Sequence, residues 1–222
     1  MTLVNKLAGR PMSRLLRLAL DNPLSGLLCE RLPPFVQEEI VLLRERVKAG
    51  KPLLTPAARH EGDLNGDWIA AVRRFEGALG SGAARLVNLF QGSVEGGSLR
   101  GCNIVVGDLK EGEISLVNVL LGNLLGGRAQ AINVLIGDIC GGHAERVNAI
   151  IGNVHGGTLE SVNLLVGNVH GGKITKAHII LGSILGGRVE ADVLIGDVEA
   201  GDVRSRFQRV RKSDAEDAGG RS

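Results

Sequence analysis

Gly137-Asp138-Ile139-Cys140-Gly141-Gly142-His143-Ala144-Glu145-Arg146-Val147-Asn148-Ala149-Ile150-Ile151 is one copy of a fifteen-residue unit that recurs about eight times between Leu86 and Val203. Asparagine marks the interval at 88, 103, 118, 133, 148 and 163; His178 holds the next place, and Asp192 the last, one residue early. Four residues after each stands a glycine, from Gly92 to Gly196. A unit this short cannot bury its own apolar side chains, so each copy needs its neighbours to complete a core.

Numbering the unit with asparagine second, positions 1, 3 and 5 are mostly apolar, as in Val117, Val119 and Leu121. Positions 8 and 13 are aliphatic too, as in Leu109 and Ile114. Glycines at positions 6, 10 and 11 mark corners where a tight turn needs positive φ. The pattern predicts a mainly β protein: a single-stranded triangular β-solenoid (β-helix) of about eight coils, stacked at about 4.8 Å each. Strand alternation puts positions 1, 3 and 5 inside and position 4 outside. Position 4 is wholly apolar: Phe90, Val105, Leu120, Leu135, Ile150, Leu165, Ile180 and Leu194. In this register it is an exposed sticky row and the candidate self-association surface. The opposite register, with the asparagines inside as a self-satisfied amide ladder, stays open.

Residues 1–85 read as an α-helical N-terminal region, a cap or docking segment for the repeats. Pro11 opens a first helix and Pro33-Pro34 precede a second, with Val36, Ile40, Leu43 and Val47 on one face. Residues 51–66 read as a linker. Asp67 caps a third helix carrying Trp68, Ile69, Val72, Phe75 and Leu79. Residues 204–222 read as a basic, disordered tail. Net charges of +4, −5 and +3 for residues 1–85, 86–203 and 204–222 set an acidic solenoid between basic ends.

Three cysteines without close spacing indicate a reducing compartment. No apolar run spans a membrane, and Arg14 and Arg17 interrupt the leucines that a secretory signal would need. The expectation is a cytoplasmic protein, with peripheral membrane contact through residues 1–20 as a variant. Nucleic-acid binding is not expected, since stacking aromatics are lacking. Asp63-Leu64-Asn65-Gly66-Asp67 begins like a calcium loop, but Trp68 and Arg74 stand at the two defining places, so it reads as a turn. The Asp and Asn residues at position 7 read as turn hydrogen-bonders. The candidate metal ligands are Cys140, His155 and His170, which share position 9 of consecutive coils. No nucleophile-elbow, Walker or Rossmann motif occurs, so no cofactor is expected and the chain reads as a non-enzyme.

Gly196-Asp197-Val198-Glu199-Ala200-Gly201-Asp202-Val203 and Gly137-Asp138-Ile139-Cys140-Gly141-Gly142 resemble the repeats of bactofilins. The resemblance covers residues 86–203; the fifteen-residue asparagine unit and the long N-terminal region depart from the family's pattern. It implies a bacterial cytoskeletal β-helix that polymerises without nucleotide. The leading expectation is therefore a structural scaffold that forms homo-oligomers or polymers. The alternatives are a binding adaptor that recruits a partner or membrane through its N-terminal helices, and a metal-dependent β-helix enzyme.

Overall fold

The computed structural model describes residues 34–49 and 59–209. Helix α1 spans Pro34–Lys48. Twelve strands follow: β1 Arg59–Glu61, β2 Trp68–Ala70, β3 Arg74–Glu76, β4 Ala83–Gln91, β5 Ser98–Val106, β6 Glu113–Leu121, β7 Arg128–Ile136, β8 His143–Ile151, β9 Thr158–Val166, β10 Lys173–Leu181, β11 Arg188–Ile195 and β12 Asp202–Arg209. β1 pairs with β3 and β2 with β4, and from β3 onward consecutive strands pair, all in parallel; the β5–β6 register matches Leu99 with Ile114, Cys102 with Val117 and Val105 with Leu120, one unit apart. A separate ladder joins Leu64, Leu79, Val94 and onward to Val198 through nine single bridges, which counts ten rungs. The fold is a parallel β-solenoid of about ten turns.

Two expectations for the N-terminal region are corrected here. Residues 59–79 are neither linker nor helix: β1, β2 and β3 are the first rungs of the solenoid. Ile69, Val72, Phe75 and Leu79, assigned above to a third helix, line the core. Residues 204–209, assigned to a tail, complete strand β12. The first helix expected after Pro11, the part of the linker before Arg59 and the rest of the tail lie outside the described residues.

The core also corrects the inward register. The buried apolar residues of the rung around β6 are Ile114, Val117, Leu120 and Leu124, at positions 13, 1, 4 and 8. Simple alternation fails because a corner interrupts each long strand. The position-15 residue adopts left-handed geometry in rung after rung, with φ between 54° and 57° at Ala71, Leu86, Leu116, Ala131, Arg146, Ser161 and Lys176. That reversal lets positions 13 and 1 both point inward; the pairing ladder also skips the asparagine, and positions 1 and 4 are both buried. The row Phe90, Val105, Leu120, Leu135, Ile150, Leu165, Ile180 and Leu194 is therefore interior, each residue 0% exposed, and is not a surface. Phe75 and Phe90 stack within it, ring centroids 4.8 Å apart.

Two polar ladders run along the outside. Asn118 Nδ2 donates to Asn103 Oδ1 at 2.7 Å, and Asn148 and Asn163 donate likewise to Asn133 and Asn148. The asparagines thus face outward as expected, satisfying one another from rung to rung. At position 7 the side chain accepts from the next rung's backbone N–H: Asn123 N–H to Asp108, Asp138 N–H to Asn123 and Asn153 N–H to Asp138, at 2.7–2.9 Å. Asp63 does the same for Ala78, and Leu64 bridges Leu79, so the calcium-like stretch is a rung of the solenoid that leads into strand β2 and not into a helix. At position 6 only glycine fits. Gly137 has φ 149°, and a Cβ there would run into the carbonyl oxygen of Gly122 directly below.

Helix α1 lies beside the early rungs. Glu38 Oε2 accepts from Arg100 Nη2 at 3.0 Å, and Ile40 is buried. On the same side of the coil Leu86, Asn103 and Ser115 are buried, whereas Ala131, Asn133 and Gln130, their counterparts in β7, are at least partly exposed.

Candidate functional site

With position 4 inside, positions 3 and 5 point outward from the short straight segment that each rung contributes to one face. Position 5 reads Val106, Leu121, Ile136, Ile151, Val166, Leu181 and Ile195 over seven consecutive rungs. Val106, Leu121, Ile136, Ile151 and Ile195 are between 38% and 47% exposed. Position 3 of the same rungs reads Ile104, Val119, Val134, Ala149, Leu164, Ile179 and Val193. Together they make two aliphatic columns, about 34 Å long at the strand spacing. No charged residue interrupts either column over that length. Soluble proteins seldom leave a continuous apolar strip of this kind uncovered unless it meets a partner.

The strip has a charged border at its N-terminal end. There the same two columns hold Arg59 and Glu61, then Arg74 and Glu76. Arg59 Nη2 bonds Glu76 Oε2 at 2.7 Å and Arg59 Nε meets Glu61 Oε1 at 2.9 Å. Arg74 pairs with Glu76 and donates to Gln91 Oε1 at 2.7 Å through Nη2. The hydrogen bond from Arg59 holds the Glu76 carboxyl below the usual carboxylate range, and the same bond raises the Arg59 guanidinium. At the other end Phe207 follows Val193 in column 3 and is 74% exposed.

The candidate metal ligands lie on another face. The His155 and His170 rings stack with centroids 4.8 Å apart and planes 15° from parallel. Asp138 Oδ2 lies 3.9 Å from His155 Nε2. Cys140 is an exposed free thiol in the same column, one rung earlier. The structure brings the two imidazoles together without bringing Cys140 in as a third ligand: among the described residues no three His, Cys, Asp or Glu groups converge on a metal position. His143 sits at position 12 on a different face, and His178 continues the asparagine column. Cys102 is a core residue at position 1, and burial pushes its thiol up to about 12, which makes it unreactive. Among the described residues no helix is long and apolar enough to cross a membrane.

The outward columns, position 5 largely exposed and position 3 half-buried except at Ile179, replace the row at position 4 that the sequence singled out. The signal was present, because both positions are aliphatic throughout the middle rungs. Comparison with known proteins matches no family model, no curated protein and no solved structure.

Proposed function

We propose that this chain is a non-catalytic structural protein: a rigid β-solenoid rod that self-associates as a scaffold, in the manner of the bactofilins that its repeats resemble. The observation that carries this reading is the outward-facing two-column aliphatic strip on positions 3 and 5, bordered by charge, on a rod of about ten rungs. Burying such a strip is worth about 25 cal/mol for each Å² of apolar surface, a driving force for association that needs no nucleotide or cofactor. The unpaired Cys102 and Cys140 suit a reducing, cytoplasmic setting.

The test is sedimentation velocity over a wide concentration range, with negative-stain microscopy of the same samples. The expected result is a species larger than the monomer that grows with concentration and is lost in Ile136→Lys. A monodisperse monomer at the highest concentration overturns the reading.

A second reading, a binding adaptor, has one observation of its own. Helix α1 is tethered to the rod through Glu38 and Arg100 yet leaves Val41 and Leu42 exposed, at 51% and 38%. In that reading the helix holds the partner and the solenoid is the spacer. Replacing Val41 and Leu42 by Ser then abolishes partner capture without altering the rod's own association state.

A further inference from the structure

The geometry points to a particular occupant and pose for the exposed strip: a second copy of this chain, side by side, parallel and in register, related by a twofold axis running along the rod. This rests on the self-association reading above and adds direction and register to it. Two flat sheets facing one another about 10 Å apart can be related by a twofold axis in only two simple ways here. An axis along the rod sets position 3 of each rung against position 5 of the same rung in the other copy. An axis across the rod sets position 3 against position 3 and pairs rungs from opposite ends.

The charged border distinguishes the two. Arg59 and Arg74 occupy position 3, while Glu61 and Glu76 occupy position 5 of the same rungs. An axis along the rod puts each arginine opposite a glutamate of the other copy, so the border closes into one network of alternating sign. The Arg59 and Arg74 side chains are about half exposed, so both heads can reach outward. An axis across the rod, centred on the apolar block, carries this border past β12, the last described strand, where no described residue matches it.

Side-chain size makes the same choice. The middle rung of the seven carries Ala149 at position 3 beside Ile151 at position 5, the most exposed residue of its column at 47%. With the axis along the rod, Ile151 of each copy fills the hollow over Ala149 of the other. With the axis across the rod, Ile151 collides with its own equivalent and the two alanines face an empty gap. Val119 with Leu121 and Val134 with Ile136 repeat the small-against-large pattern. A footprint of about 34 by 12 Å is on the order of 400 Å² per copy, below the roughly 800 Å² of a standard complex, so the pair forms reversibly.

Cross-linking tests the pose. In full-length protein with Cys29 and Cys140 replaced by serine, Ile179→Cys and Leu181→Cys are made separately, with tags of different size, and mixed. A short bis-maleimide is used because sheets about 10 Å apart exceed the reach of a disulfide. Joining of Ile179→Cys to Leu181→Cys is expected at concentrations where the protein sediments above the monomer. Val119→Cys mixed with Ile179→Cys is expected not to join, since those residues stand four rungs, about 19 Å, apart in the parallel pair. Joining of that second mixture overturns the pose, as does absence of any joining in protein that still self-associates; both leave the scaffold reading standing. A monomer at every concentration overturns the pose and the reading together.

Discussion

The position-15 corner sets what a single residue contributes. Seven non-glycine residues there hold φ near 55°, a conformation that costs an L-residue about 1–2 kcal/mol. Gly101 occupies the same place in its rung with φ 71°, which shows that glycine fits the corner. Arg146 is exposed, and its contact with Glu145 is a long surface pair at 3.6 Å. Arg146→Gly is therefore expected to stabilise the protein by about 0.5–1 kcal/mol, the relief of strain outweighing the added freedom of the unfolded chain. The matched control is Gly137→Ala, expected to destabilise by about 2–4 kcal/mol, because φ 149° and the Gly122 carbonyl both oppose a Cβ. Urea unfolding of the two variants checks the pair. A destabilised Arg146→Gly would show that the corner is not strained.

At the scale of the rung, one strand carries both the core and the surface, on adjacent residues. Leu135 is fully buried at position 4 and Ile136 is 42% exposed at position 5. Leu135→Ala is expected to lower stability by about 2–5 kcal/mol, the range for emptying a core position, with association altered only through that loss of stability. Ile136→Lys is expected to leave stability within about 0.5 kcal/mol while weakening self-association at least tenfold. Unfolding and sedimentation of both variants separate the two roles. The sequence could show that a fifteen-residue unit stacks and where its glycine corners lie, but it left open whether the asparagines face in or out. It could not show which aliphatic column is interior, because positions 1, 3, 4 and 5 are all aliphatic and the left-handed corner is occupied by Leu, Ala, Arg, Ser and Lys, which give no sign of it. The same geometry explains the mistaken third helix. Ile69, Val72, Phe75 and Leu79 are spaced three, three and four apart, which is the inward spacing of positions 13, 1, 4 and 8 and also that of an amphipathic helix. Gly77 and Gly62, fifteen and thirty residues before Gly92, were the signs that the repeat began earlier, masked because Arg73 replaces the asparagine.

Over the whole molecule, each rung touches only its neighbours, and the main pairings run strictly in order from β4 to β12. Such a stack is close to one-dimensional: its stability is a sum of rungs and the interfaces between them. The last two rungs already show that the array tolerates a change at its corner. Between Lys173 and Arg188 the register is intact, but Ala177 pairs with Ala191, so β11 has lost the position-15 residue, and Asp192 falls one place early as a result. The loss is absorbed at the corner and the inward columns resume at Leu194. Removing residues 123–137, one whole unit, joins Gly122 to Asp138 and keeps every downstream side chain in its column. That variant is expected to unfold in a single cooperative step with an unchanged β-type circular dichroism spectrum, as a rod shorter by about 4.8 Å. Removing residues 123–130 takes out fewer residues, eight instead of fifteen, but moves the following aliphatic residues out of their columns, so cooperative unfolding is expected to be lost. If the two deletions behave alike, the rungs are not interchangeable, and the rod is held by contacts beyond its nearest neighbours.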